Sequence, residues 1–169
     1  MLYSHYFIQH VRSHHKIVAT PEDASTARFG ETLHQFIYRA IPGGLIDVWN
    51  FESKRLSKGG ASSWELFLYN RAFLFCAGQT LYLGAVWAIF GQRTFIFHLV
   101  YSSFVVIMLE SVNYIEHYGL ERKFLPGTDK VYESVNITHS WNAPQYMSNY
   151  ILFKLQRHSD HHANAYKPY

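Results

Sequence analysis

Cysteine is almost absent from this chain: Cys76 is its single instance, and it lies inside an apolar run. One thiol excludes an intramolecular disulfide, a thiolate zinc cage and a cysteine-ligated iron–sulfur cluster. Electrons for any redox reaction must then come from another protein or a bound cofactor. Charge is scarce as well. Only 16% of the residues are charged, where soluble domains carry about a quarter. A formal net charge of +3 is too small to point to nucleic acid. The N-terminus shows no signal-peptide pattern, and the chain has no internal repeat and no low-complexity tract.

What the chain has instead is apolar and aromatic surface, 49% and 18% of its residues, and eleven histidines. Its 169 residues are enough for one domain. Residues 72–90 run without a charge. At about 1.5 Å per residue such a helix covers roughly 28 Å, close to the ~30 Å hydrocarbon core of a bilayer. Gly91-Gln92-Arg93 reads as a tight turn, and residues 94–109 are again apolar except for His98. Glu110 ends the uncharged stretch, and the helix is expected to continue through Asn113 and Glu116 to His117. Two adjacent runs of this kind predict a two-span transmembrane hairpin in an all-α, helical membrane protein, read as one membrane-embedded domain over residues 1–169. Lysine and arginine crowd both flanks, while the turn holds only Arg93. By the positive-inside rule both flanks are cytoplasmic, which a two-span hairpin requires.

The remaining segments read as helices at the membrane face. Residues 1–15 have the pattern of a helix end. Residues 24–40 form an amphipathic stretch after the break at Thr20-Pro21-Glu22-Asp23, where Thr20 or Asp23 is suited to cap. Pro42-Gly43-Gly44 is expected to end that helix, and a second follows over residues 45–57. Residues 120–143 are polar and turn-rich, with a turn at Pro126-Gly127-Thr128-Asp129. A last helix is expected from Pro144 to His162.

That last helix carries His158, His161 and His162, whose spacing puts three imidazoles on one face. A second cluster, His10-Val11-Arg12-Ser13-His14-His15, lies at the other end of the chain. His117 leaves the end of the second apolar run at the same level. Clustered imidazoles point to an intermediate metal, with iron, zinc and copper all open on ligand type alone. Seven histidines suit two metal ions, and a site beside the bilayer suits an apolar substrate. Supporting groups for ligand imidazoles are carboxylates and carbonyls, and Gln9, Glu110, Glu116, Asn142 and Asp160 are placed to serve. His5, His34 and His98 stand alone and read as packed or solvated residues.

Four stretches carry a family resemblance: His10-x3-His14-His15, Asn113-Tyr114-Ile115-Glu116-His117-Tyr118-Gly119-Leu120, His139-Ser140-Trp141-Asn142, and Leu155-Gln156-Arg157-His158-Ser159-Asp160-His161-His162-Ala163. The chain resembles the membrane-bound alkane 1-monooxygenases (alkane omega-hydroxylases, AlkB type), within the wider desaturase and hydroxylase superfamily. The resemblance implies a non-haem di-iron centre held by His10, His14, His15, His117, His158, His161 and His162, with His139 and Asp160 in support. It implies O2, an n-alkane substrate, and electrons from rubredoxin and its reductase. The implied location is an integral membrane protein with its histidines on the cytoplasmic face, the inner membrane in a bacterium. The family has further membrane helices and a His-x3-His pair before the first cluster seen here, so the chain is expected to be a C-terminal fragment. Gln9 and Ser13 also replace the Glu and Gly common in the family. The alternatives are a fatty acyl desaturase of the same superfamily and an inactive truncated protein.

Overall fold

A computed structural model describes residues 2–128, 130–143, 145–151 and 154–164. Among them every regular element is helical, and the β pairing present is an isolated antiparallel bridge between Phe124 and Tyr132. The elements run α1 (Tyr6–Ile8), a π-helical stretch (Gln9–His14), α2 (His15–Ile17), α3 (Leu33–Lys58), α4 (Ser63–Leu68), α5 (Arg71–His117), a 3-10 turn (Ile137–His139), α6 (Tyr146–Ile151) and α7 (His158–Ala163). They pack as two units. The first holds residues 2–13 and Ile41–Leu109, the second His14–Ala40 and residues from Glu110 on.

In the first unit Ile8, Val48 and Ala72 form the buried core, with Leu45, Trp49, Phe51 and Phe75 packed on it. α5 starts where it does because Asn70 caps it: its side-chain oxygen accepts from Ala72 N at 3.0 Å. The Asn70 amide donates to the Trp49 carbonyl at 3.2 Å and to Ser53 Oγ at 3.1 Å, riveting the start of α5 to α3. Within α5, Gly91 has φ 78° and ψ 175°, which breaks the helix. Glycine takes this left-handed region without a Cβ clash. On either side of it, the rings of Tyr82 and His98 lie 5.2 Å apart. A straight helix would hold them roughly 24 Å apart, so the two arms turn back at Gly91. By length and composition α5 is long and apolar enough to cross a membrane. Leu81, Ile89, Phe97 and Phe104 on its arms are exposed.

In the second unit Ala27, Phe36 and Ala40 are the core, joined by Leu33, Ile37, Tyr114 and Tyr118. Arg39 pins the loop before α3. It donates from Nε and Nη2 to Glu31, both at 2.8 Å, and to the carbonyls of Ala24 and Thr26 at 3.0 and 2.9 Å. α5 ends at His117, and Gly119 follows with φ 68°, a glycine stop just past the helix. The last-turn carbonyl of Glu116 accepts from Trp141 N at 2.8 Å and Ser140 Oγ at 3.1 Å, so the segment after the 3-10 turn closes the helix end.

Three helix boundaries differ from expectation. The helix expected from residue 24 begins only at Leu33, because Asp23 and Arg39 hold residues 23–31 in turns. The break expected at Pro42-Gly43-Gly44 is not there, and α3 runs 26 residues through it. Pro42 and Tyr38 are both exposed, so the carbonyl deprived of its amide donor faces water. The last helix is two short ones, α6 and α7, with Lys154 at φ 66° between them. Pro144, Leu152, Phe153 and Asp129 of the expected helix and turn lie outside the described residues.

Candidate metal centre

The second unit gathers histidines from three parts of the sequence. His14 ends the π-helical stretch, a rare geometry that concentrates at functional sites. His117 is the last residue of α5, and α7 carries His158 and His162. All four are buried, and one ring nitrogen from each lies within 4.8 Å of the others. His158 Nε2 and His162 Nε2 are 2.9 Å apart. On the edge of the group His15 Nε2 and His161 Nε2 are 3.0 Å apart. Two nitrogens held at right angles by one ion, each at about 2.1 Å, stand roughly 3 Å apart, so both separations fit shared ligation.

The ring orientations are set from behind. His14 Nδ1 is 2.8 Å from Asp23 Oδ2. A carboxylate only accepts, so Nδ1 carries the proton and Nε2 is the lone-pair atom. Asp23 is itself fixed by Thr26 Oγ at 2.6 Å and Ser25 N at 3.1 Å. His117 Nδ1 donates to the His139 carbonyl at 3.1 Å. Its Nε2 is buried without a hydrogen-bond partner among the described residues. This backing by a carboxylate and a carbonyl is how metal-binding imidazoles are held. Four buried imidazoles whose ring nitrogens converge fit a metal ion.

Electrostatics agree. Burial pushes the His15 imidazole down to about 4, and the neighbouring imidazoles of His14 and His161 lower it further against Asp23. Burial also holds His162 far below the ordinary histidine value, with His14, His117, His158 and His15 acting the same way. His161 is lowered by burial and His14. These rings are neutral at pH 7, the form that binds metal. For Asp23 burial raises the carboxyl, but the charge and hydrogen bond of His14, with Thr26 and Ser25, bring it below its usual value.

The other expected site residues divide. Glu116 is buried with Oε2 3.4 Å from His158 Nε2, so it reaches the cluster. His139 supplies its backbone carbonyl rather than its ring, which takes Asn136 N at 3.0 Å and lies 3.4 Å from Glu133. Asn142 grips the start of α7 through Ser159, with contacts of 2.6 and 3.0 Å. Glu110 is buried about two helical turns before His117, 3.3 Å from Asn113. Asp160 is exposed and accepts from Asn164 at 2.8 Å. His10 and Gln9 fall in the first unit. There His10 Nδ1 is 3.1 Å from Tyr6 Oη, and Gln9 packs against Gly44, where an added Cβ would stand 3.5 Å from its Cγ. Asp23 is the residue that sequence reasoning missed as a site group. Only its place in the Thr20–Asp23 stretch, nine positions from His14, marked it.

A family model described as fatty acid desaturase matches residues 1–169. The chain belongs to the fatty acid desaturase family. As a family member it is similar to alkane 1-monooxygenase 1 of Pseudomonas aeruginosa, 43% identical over 99% of this chain and 43% of the relative. It is 44% identical to alkane 1-monooxygenase 1 of Alcanivorax borkumensis, over 99% of the chain and 40% of that protein. A more distant likeness is to the xylene/toluene monooxygenase hydroxylase component XylM of Pseudomonas putida, at 28% over 94% and 41%. The chain spans about two fifths of the length of the curated relatives it matches.

Proposed function

We propose that this chain is part of a membrane-bound alkane 1-monooxygenase that converts a terminal methyl of an n-alkane to a primary alcohol, using O2 and electrons delivered by rubredoxin. The single observation that carries the reading is the buried group of His14, His117, His158 and His162, in which Asp23 holds the His14 ring and the His139 carbonyl the His117 ring. Support for the substrate comes from relatives named as alkane 1-monooxygenases at 43–44% identity.

In this reading two iron ions are held by those four histidines together with His15, His161 and, from its place in the His-x3-His-His run, His10. Iron bound there supplies the redox chemistry of O2 activation. The protein's own part is orientation and exclusion of water. Asp23 and the His139 carbonyl fix which nitrogen faces inward. Asn142 fixes α7, which brings three of the histidines as one rigid piece. Glu116 brings its buried carboxyl group against His158. α5 crosses the bilayer twice with Gly91 at the outer turn, and the histidines lie at the cytoplasmic face. An alkane dissolved in the bilayer then reaches the site without entering water.

The test is alkane-dependent O2 consumption by the protein encoded by the whole reading frame, supplied with rubredoxin and its reductase. Formation of the 1-alkanol with two irons bound per chain supports the proposal. The family description favours one second reading, a fatty acyl desaturase. A new double bond in an acyl chain, with alkanes untouched, would establish it instead.

A further inference from the structure

The carboxylate of Glu52 in the first unit is fully buried, and two arginines hold it. Arg71 forks it, Nε donating to Oε2 at 2.8 Å and Nη2 to Oε1 at 2.7 Å. Arg55 donates from Nε and Nη2 to the same Oε2, at 3.2 and 2.9 Å. Two cations share one anion, so one positive charge is left over. Nη1 of each guanidinium takes no part in these bonds, and the two arginine side chains are 48% and 43% exposed. Planar guanidinium edges fixed in place suit phosphate oxygens. Lys54 and Lys58 are exposed on the same end of α3. The exposed acid on α4, Glu65, is engaged by Ser62 N and Oγ, both at 2.8 Å.

The position of this pair matters as much as its charge. Arg71 is the first residue of the apolar α5. Immediately before it, α4 is held by the Ser62–Glu65 capping box. Its Phe67 ring packs on Phe73 at 4.5 Å, on Trp49 at 5.8 Å and on Trp64 at 6.4 Å. Trp64 and Tyr69 nevertheless stay exposed. Exposed Trp and Tyr beside cations, at the mouth of an apolar helix, are the mark of the headgroup layer of a bilayer.

We propose that Arg55 and Arg71, with Lys54 and Lys58, form a binding site for the phosphate headgroup of an anionic phospholipid, and that the aromatic rings of α4 lie in the headgroup layer beside it. The proposal rests on reading α5 as a membrane span. Its effect is to set the depth at which α5 enters the bilayer.

The test uses the full chain reconstituted in nanodiscs of mixed phosphatidylcholine and phosphatidylglycerol, then re-extracted, with the retained lipid counted by mass spectrometry. Phosphatidylglycerol is expected to be enriched. In the Lys54→Gln/Arg55→Gln/Lys58→Gln variant the enrichment falls, by about fivefold for each cation removed. Arg55→Lys, which keeps the charge and loses the fork, is intermediate. Equal enrichment in wild type and the triple variant overturns the site. If the triple variant does not fold, the Lys54→Gln/Lys58→Gln variant, altered only at exposed positions, is read the same way. A separate readout tests the span. With Trp87 as the sole tryptophan, lipids brominated deep in the acyl chain quench its fluorescence if α5 crosses. Deep quenching without phosphatidylglycerol enrichment sinks the headgroup site and leaves the span standing, whereas absent quenching sinks the span itself.

Discussion

Glu52 in the first unit and the four histidines in the second are both groups of polar atoms taken out of water, and they are solved in opposite ways. Around Glu52 the donors of Arg55 and Arg71 point at a single acceptor group, so the buried carboxylate is paired internally. In the histidine group the Nδ1 donors of His14 and His117 point outward, to Asp23 and to the His139 carbonyl, and one ring nitrogen from each of His14, His117, His158 and His162 converges on the others. In the first arrangement the Glu52 carboxylate is satisfied where it lies, and the charge left over sits on exposed arginines. The second brings lone pairs together in a buried space, which is favourable only if a cation joins them. Buried polarity that satisfies itself is scaffold, and buried polarity with its acceptors turned on one another is a site.

Loss of a ligand should break that contrast most sharply. His117→Ala is expected to abolish hydroxylation in the full-length protein and to lower bound iron by about half or more. Iron analysis and product formation measure both. Asp23→Asn comes next. It keeps the size of the side chain and removes the charge that holds His14, so metal affinity or activity should fall about 10–100-fold. Metal titration against a chelator reads this directly, and an unchanged affinity would return Asp23 to a purely structural role.

Glu52→Gln should do the reverse, leaving iron in place and lowering stability. The cost is about 1–2 kcal/mol, less than for a fully buried pair, because both arginines reach water. Thermal unfolding in detergent and iron content, measured on one preparation, separate the two effects.

Acid should also tell the regions apart in the metal-free protein. The folded-state pKa of His15 is lowered to about 4. Below the ordinary histidine value near 6.5 the unfolded chain therefore binds a proton that the folded one does not. Stability contributed there is present above about pH 6.5 and lost as the pH falls toward 4. For Glu52, burial works to raise the carboxyl, but the hydrogen bonds and charges of Arg71 and Arg55 outweigh it and lower the pKa. Its contribution holds above the ordinary glutamate value and is lost only as the pH drops below it, through the lowered folded value. Unfolding midpoints followed from pH 7 downward should show the histidine region giving way first, with His15→Gln flattening the upper window and Glu52→Gln the lower one. The smallest effect belongs to Asp160→Asn. Its side chain is exposed and accepts from Asn164 at 2.8 Å, so stability should change by less than about 0.5 kcal/mol and metal binding should be nearly unaltered in the same titration.

Much of the centre was legible because imidazole chemistry and helical spacing are local. His158, His161 and His162 share a face at any tertiary arrangement, and the start of α5 follows from where charge ends at Arg71. Glu116 was legible for the same reason, being one residue from His117 on α5. Asp23 was not. Its sequence neighbourhood reads as a helix start, and only the turns held by Arg39 place it behind His14. The continuity of α3 through Pro42 was hidden too. It depends on the broken hydrogen bond facing water, a property of packing rather than of the residues Pro-Gly-Gly.

The amino-acid sequence by itself determined an all-helical chain with a long apolar segment, a glycine at its turn and histidines in metal-binding spacing, because periodicity and side-chain chemistry act within a few residues. Only the tertiary structure decided which histidines are buried together, which nitrogen each presents, and that Asp23 and the His139 carbonyl hold two of them. Those outcomes depend on contacts between segments up to 148 positions apart, as from His14 to His162, where the desolvation of one group is set by what the rest of the fold packs against it.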